Sequence, residues 1–388
     1  MVSPHSAQEL LYALQLHDRV RAISITSWSL GYLDLCSVLD YAFPKLEIFS
    51  LVDDQMQRRL PNNFVAPRLR VLHLRHVLIP SKSLLLTNVT NLLSLRLESM
   101  CHFAPDYLVE RIASMPYLEN ISLGFLSYSP LPDSARELPH PQITRVVLTK
   151  LSRLIYSGTS TYLDNILSRI STPFLQDFRF TFPSTEASAV HRLSAFFGTI
   201  QNLNLRTVVV SFFPRSLTVA YHPEQPSVAS TYLRFAIDDT SNHERAVSPV
   251  ARICGAIASA IPIVESLEIE LKSPYDSYHC YSGVFLQRVI WHTFFRSFGG
   301  AKTLKVDMDL AAELSDVLHP KDESAIEEWF PRLTELIVVS GEHLVHQPFD
   351  SFIRTRRLSG HPIDLRVIRD RRPLRPPPVS WPFDTFGQ

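Results

Sequence analysis

Leu69-Arg70-Val71-Leu72-His73-Leu74-Arg75 and Leu92-Leu93-Ser94-Leu95-Arg96-Leu97-Glu98 decide the fold, because both carry apolar residues at an anchor, three residues on and five residues on. The last two of the three alternate along a short strand and share one face, while the first anchors the turn into it. Four more copies occur in the first 150 residues: Val20-Ile23-Ile25, Leu46-Phe49-Leu51, Leu118-Ile121-Leu123 and Ile143-Val146-Leu148. The six anchors lie 26, 23, 23, 26 and 25 residues apart. Pro44, Pro67, Pro116 and later Pro331 stand just before an anchor. Proline has no backbone donor and is tolerated at the start of a strand but not within its ladder, so these prolines read as the points where strands begin.

A repeat of roughly 20–29 residues with this pattern is that of a leucine-rich repeat, and such units stack into a solenoid sharing one continuous core. The expected class is α/β: a leucine-rich-repeat solenoid with a curved parallel sheet on its concave side and helices and loops on its convex side. Helical faces between strands support this, with Leu33, Leu35, Val38 and Leu39 in one and Leu108, Ile112 and Met115 in another. The segment Ser127–Gln142, rich in Pro and Ser, reads as an exposed insertion.

Beyond it the period lengthens. Helices are predicted at Tyr162–Ile170, His191–Ile200, Val250–Ala260, Val284–Phe298, Ser324–Phe330 and Phe349–Leu358, the last capping the array. Strands follow Leu175-Phe178-Phe180, Val264-Leu267-Ile269, Leu304-Val306 and Leu333-Leu336-Val338, and Arg206–Phe213 forms a further run. Leu217–Ala220 and Tyr232–Ile237 read as an inserted hairpin. Three regions result: regular repeats with an N-terminal capping helix over 1–160, irregular repeats of the same solenoid over 161–365, and a basic Pro-rich tail over 366–388.

The chain of 388 residues carries 38 Lys plus Arg against 38 Asp plus Glu. A net charge of zero argues against nucleic acid or an anionic membrane as partner. Cys36, Cys101, Cys254 and Cys280 are scattered, without the fixed offsets of a disulfide framework or zinc module. No secretory signal is read at the N-terminus, and the longest apolar stretch, Ile253–Val264, is broken by Ser259 and Pro262 and too short to span a bilayer. The expectation is an intracellular protein, cytoplasmic or nuclear.

Catalytic patterns are poor. Eleven glycines leave little room for a phosphate-cradling loop, and neither His-Glu-x-x-His nor Gly-x-Ser-x-Gly occurs. His343 and His346 lack the company a metal needs. Asp307 and Asp309 follow a strand, one facing the surface and the other capping the next helix. Cys254 lies on an apolar helix face between Ile253 and Ile257 and reads as core. No catalytic residue, cofactor or metal is expected.

Binding is the readable task. Strand residues flanking the inward pair face the concave surface, which nominates His73, Arg75, Arg96, Glu98, Asn120, Arg145, Asp177 and Arg179. Arg75, Arg96, Arg145 and Arg179 would form a basic stripe across neighbouring strands, with forks suited to carboxylates or phosphates on a partner. The competing reading makes them ordinary solvated residues balanced by Glu98 and Asp177. The tail segment Pro373-Leu374-Arg375-Pro376 is a Pro-x-x-Pro core, read either as a docking motif or as plain basic tail.

Several ordered segments carry a resemblance running from about Glu9 to Val367. They include His17-Asp18-Arg19-Val20, Ala66-Pro67-Arg68-Leu69-Arg70, Leu118-Glu119-Asn120-Ile121-Ser122-Leu123-Gly124-Phe125 and Gly158-Thr159-Ser160-Thr161-Tyr162-Leu163. Val250-Ala251-Arg252-Ile253-Cys254, Lys302-Thr303-Leu304-Lys305-Val306-Asp307 and Pro331-Arg332-Leu333-Thr334-Glu335-Leu336 follow in order. In these the chain resembles the F-box/leucine-rich-repeat proteins of mushroom-forming fungi. The resemblance implies a protein substrate and a substrate-recognition role in a cullin-type ubiquitin ligase. Members usually open with a helical F-box bearing a Leu-Pro-x-Glu-like segment, which binds the ligase adaptor. No such segment precedes Val20 here, so the adaptor is implied as a partner only if an F-box lies upstream. A free-standing scaffold or inhibitor that binds protein without ubiquitination is the alternative.

Overall fold

The computed structural model describes residues 12, 14–26, 39–53, 59–80, 83–100, 103–125, 145–183, 192–201, 203–213, 216–223, 232–238, 243–261, 264–272, 288–318, 329–340 and 348–369. The expected helices at 33–39 and Ser324–Phe330, and the Pro-rich insertion and tail, fall wholly or mostly outside these residues. Among them are seven helices and sixteen strands, mostly parallel, giving a mixed α/β protein. No helix among the described residues is long and apolar enough to cross a membrane.

A hydrogen-bonded turn builds each repeat. The amide of the anchor donates to the carbonyl three residues earlier in Leu46→Phe43, Leu69→Ala66, Leu118→Met115, Leu175→Thr172 and Leu333→Phe330. The second residue of each turn is a proline: Pro44, Pro67, Pro116, Pro173 and Pro331. Its ring holds φ near the value that position requires. The prolines therefore belong to the turn, and the strands begin four residues later, at Ile48, Val71, Asn120, Asp177 and Glu335. The residue opening each turn is buried too, Phe43, Ala66 and Thr172 completely. The repeat thus has four inward positions, one more than the sequence pattern shows.

The described residues divide into two compact units, those up to Gly158 with Asn165–Leu175, and Thr159–Asp164 with those from Gln176 to Arg369. In the first unit the elements are β1 (Ala22–Thr26), β2 (Ile48–Val52), β3 (Val71–Arg75), β4 (Ser94–Met100), α1 (Pro105–Ala113), β5 (Asn120–Phe125), β6 (Val146–Val147) and β7 (Arg153–Ser157). Helix α2 (Ser160–Leu167) leads to β8 (Ile170–Ser171). Strands β1-β2-β3-β4-β5-β7 pair in parallel in that order. Their register aligns Ile23, Phe49, Leu72, Leu95, Ile121 and Leu154 in one row, and Ile25, Leu51, Leu74, Leu97, Leu123 and Tyr156 in the next. All twelve side chains are buried, and connecting segments cover them: the Phe64 ring, for example, packs tilted against Phe49 and Phe43, its centroid 4.8 Å and 5.5 Å from theirs.

The sixth copy is corrected by this register. Val146 lies in β6, which among the described residues pairs with β8 alone, and Leu148 opens the turn whose anchor is Leu151. The strand beside β5 is β7, so the true copy is Leu151-Leu154-Tyr156. Two overlapping frames share Leu148, and burial separates them: Leu154 and Tyr156 are 1% exposed, while Val146 is only half-buried.

The second unit contains β9 (Asp177–Pro183), α3 (Leu193–Phe197), β10 (Thr207–Phe213), β11 (Ser216–His222), β12 (Tyr232–Asp238), α4 (His243–Ala258) and β13 (Ser266–Leu271). Then come α5 (Arg288–Arg296), β14 (Thr303–Asp307), α6 (Met308–Leu318), β15 (Glu335–Ser340), α7 (Asp350–Leu358) and β16 (Asp364–Arg369). Strand order is β9-β12-β11-β10-β13-β14-β15-β16, with β11 antiparallel to both neighbours. After β9 the chain enters β10 three places away, returns through β11 to β12 beside β9, and crosses through α4 to β13 beside β10. The expected hairpin is thus the return arm of a three-stranded meander. Aromatic side chains fill this core, Phe178 against Phe196 and Phe197, and Trp291 against Phe212 and Phe295.

The helix at 349–358 does not end the array. Strand β16 follows it and pairs in parallel with β15, aligning Leu336 with Leu365 and Val338 with Val367. The expected boundary at residue 366 therefore falls inside a strand.

Candidate binding face of the sheet

Strand alternation sends the variable residues of β2 to β5 away from the core. The parallel register then sets Ser50, His73, Arg96 and Ser122 in one row and Val52, Arg75 and Glu98 in the next. Val71, Ser94, Asn120 and Arg153 form a third row, nearer the strand starts.

Glu98 is the hub. Arg96 Nε lies 2.6 Å from Glu98 Oε1, and His73 Nε2 lies 3.8 Å from Oε2, an ion-pair distance. On its other side the His73 ring places Nδ1 3.2 Å from Ser50 Oγ. Burial pushes the Glu98 carboxyl up, but His73 and Arg96 outweigh it and bring the pKa down to about 2. Glu98 is a carboxylate at neutral pH. Arg75 stands opposite Glu98 in the ladder, exposed, and its side chain has no ion pair among the described residues.

The expected basic stripe is not assembled. Arg75 and Arg96 lie on adjacent strands but in different rows. Arg145 stands beside β6, off the main ladder, and its Nε donates to the Ile170 carbonyl at 2.8 Å. It leaves the nominated face because the strand assigned to it is not part of that sheet. Arg179 belongs to the second unit, on β9, with Nε 2.8 Å from Asp177 Oδ1. There Arg234 sits opposite Arg179, and burial first, then the Arg179 charge, lower its pKa while Asp177 opposes them.

The rest of the second unit's outward face is laced with paired charges. Lys305 holds Glu268, Glu265 lies between Arg206 and Lys302, and Arg366 meets both Glu335 and Asp364. Asp307 Oδ2 accepts the Leu271 amide at 2.8 Å, and Asp309 lies in the first turn of α6. Two features escaped the sequence reading. Ser50 joins the His73 network, and Thr218, Ser211 and Glu270 form a buried polar row, with Ser211 donating to Glu270 Oε1 at 2.7 Å. Glu270 alternates like any outward strand residue, so nothing in its spacing marks it as buried.

Ser50, His73 and Glu98 follow one another as in an acyl-transfer relay. Such chemistry needs free N–H donors aimed at a developing oxyanion. The strand amides around Ser50 and His73 are engaged in the parallel ladders, and Glu98 is already held by Arg96. The line therefore fixes side-chain positions on a polar surface. Cys254 is fully buried against Tyr221, and burial pushes its thiol up to about 12, which makes it inert core. His343, His346 and the Pro373–Pro376 motif lie outside the described residues. Compared with models of known protein families and with curated proteins, the sequence matches none.

Proposed function

We propose that this chain is a protein-binding leucine-rich-repeat module, a solenoid whose outward sheet face receives a protein partner and which resembles the substrate-recognition part of an F-box receptor. The carrying observation is the polar row on β2 to β5, with Arg75, which has no ion pair among the described residues, beside the fixed Arg96–Glu98–His73 network. Fixed polar groups lose little freedom on binding, and an exposed guanidinium offers a bidentate contact to a carboxylate. On this reading the protein works inside the cell. Reversing charge at Arg75 and Arg96 weakens recovery of the partner in a pull-down, and unchanged recovery refutes this placement.

The second reading is a free-standing scaffold or inhibitor. Recovery of the cullin-type adaptor together with this chain favours the ligase receptor. Recovery of a partner without the adaptor favours the scaffold.

A further inference from the structure

One ladder position carries the same order of charges in both units but with opposite outcomes. The residue after the anchor is Arg206, Glu265 and Lys302 just before β10, β13 and β14, and there Glu265 closes on both cations, at 3.4 Å and 3.0 Å. In the first unit the same position holds Arg21, Glu47 and Arg70 before β1, β2 and β3. Their backbones are bonded in the same way, Arg70 N–H to the Glu47 carbonyl at 2.8 Å and Glu47 N–H to the Arg21 carbonyl at 2.8 Å. Yet none of these three side chains has an ion pair among the described residues.

A cleft lies where those pairs are open. It is lined by Glu47, Arg68, Arg70, Asn91, Leu93 and Tyr117. Arg68, Asn91 and Tyr117 come from the turns ahead of β3, β4 and β5, so the lining repeats across neighbouring units. Neither Arg68 nor Arg70 has a carboxylate within ion-pair distance among the described residues, whereas Arg96, Arg179 and Arg366 do. Tyr117 is 55% exposed and offers a ring face as well as a hydroxyl.

We propose that this cleft is a second docking point, apart from the outward sheet face, that takes an acidic side chain of an extended peptide. Two guanidiniums against one carboxylate leave a surplus positive charge that matches a single carboxylate. Glu47 accepts a peptide N–H, Asn91 bonds the peptide backbone, and Leu93 with the Tyr117 ring covers its apolar atoms. Neighbouring strands stand about 4.8 Å apart, so the cleft spans about 14 Å from β2 to β5, the length of about four extended residues. The proposal does not depend on the outward face.

The test places 3-fluorotyrosine at position 117 and follows its fluorine resonance while acetyl-Gly-Glu-Gly-Gly-amide is titrated to millimolar concentration. A saturable shift is expected. It weakens at least tenfold with the Gln peptide and in the R68Q/R70Q double variant, and it persists in Arg75→Glu. The substituted side chains are exposed and make no hydrogen bond or ion pair among the described residues, so circular dichroism of the double variant stays that of the parent. The proposal is overturned if no saturable shift occurs, if the Gln peptide or sodium acetate acts as strongly, or if the double variant binds equally. Because Arg75 is untouched in the double variant, failure here leaves the sheet-face reading standing, and failure of the Arg75 pull-down leaves this one.

Discussion

Replacing Glu98 by Gln keeps its shape and removes the charge that organises the outward face of β3 and β4. Its pKa falls from an ordinary 4.5 to about 2 in the folded protein. A carboxyl depressed on folding stabilises the native state above its unfolded pKa, and that contribution is lost as pH falls from about 4.5 through about 2. At about 1.4 kcal/mol per pH unit the ceiling is roughly 3 kcal/mol. The Glu98 side chain is 22% exposed and its Arg96 partner 37%, so solvent screening reduces the expected effect to about 1–2 kcal/mol. Urea unfolding of the parent and Glu98→Gln measures the gap directly. It is widest at pH 7 and shrinks to less than half at pH 3, where the unfolded chain already binds the proton. A gap that stays constant with pH, or widens as pH falls, refutes the assignment of Glu98 as the charged hub.

Other consequences are separable. Leu154→Ala, at a position 1% exposed in the main ladder, costs about 2–5 kcal/mol, whereas Val146→Ala in the half-buried β6 costs about 1 kcal/mol or less; thermal denaturation of the two variants checks which copy belongs to the core. Glu270→Ala leaves Ser211 and Lys272 without the carboxylate they share and costs about 3 kcal/mol in urea unfolding, with Glu270→Gln recovering part of it. Cys254 escapes alkylation by iodoacetamide at pH 8 in the native protein and reacts in denaturant, as peptide mass mapping reads, because its thiol is pushed up to about 12. Pro67→Ala lowers stability by about 0.4–1 kcal/mol, since the ring preorganises a turn that the alanine chain must order on folding.

Period and polarity alone were enough to place most strands. The anchors Leu46, Leu69, Leu92, Leu118, Leu175, Val264 and Leu333 all precede strands of the main ladders, because inward positions on a short strand must be apolar whatever lies around them. The same alternation correctly turned His73, Arg75, Arg96 and Glu98 away from the core. Pairing was not legible. Ile143-Val146-Leu148 satisfies the pattern as well as Leu151-Leu154-Tyr156 does, and only the partner strand distinguishes them. The meander of β10 to β12 and the placing of β16 beside β15 likewise depend on which edge is free when the chain returns.

The sequence by itself determined which residues face inward, because that choice is local and repeats with every anchor. Tertiary structure alone decided which charges meet. Arg206, Glu265 and Lys302 close into ion pairs while Arg21, Glu47 and Arg70 at the same ladder position have none among the described residues, and Arg145 leaves the face that Arg75 and Arg96 share. The physical reason is reach. Burial follows from a single side chain's polarity, whereas an ion pair needs two side chains on different strands to come within 4 Å, and strand order, register and neighbouring turns set that distance.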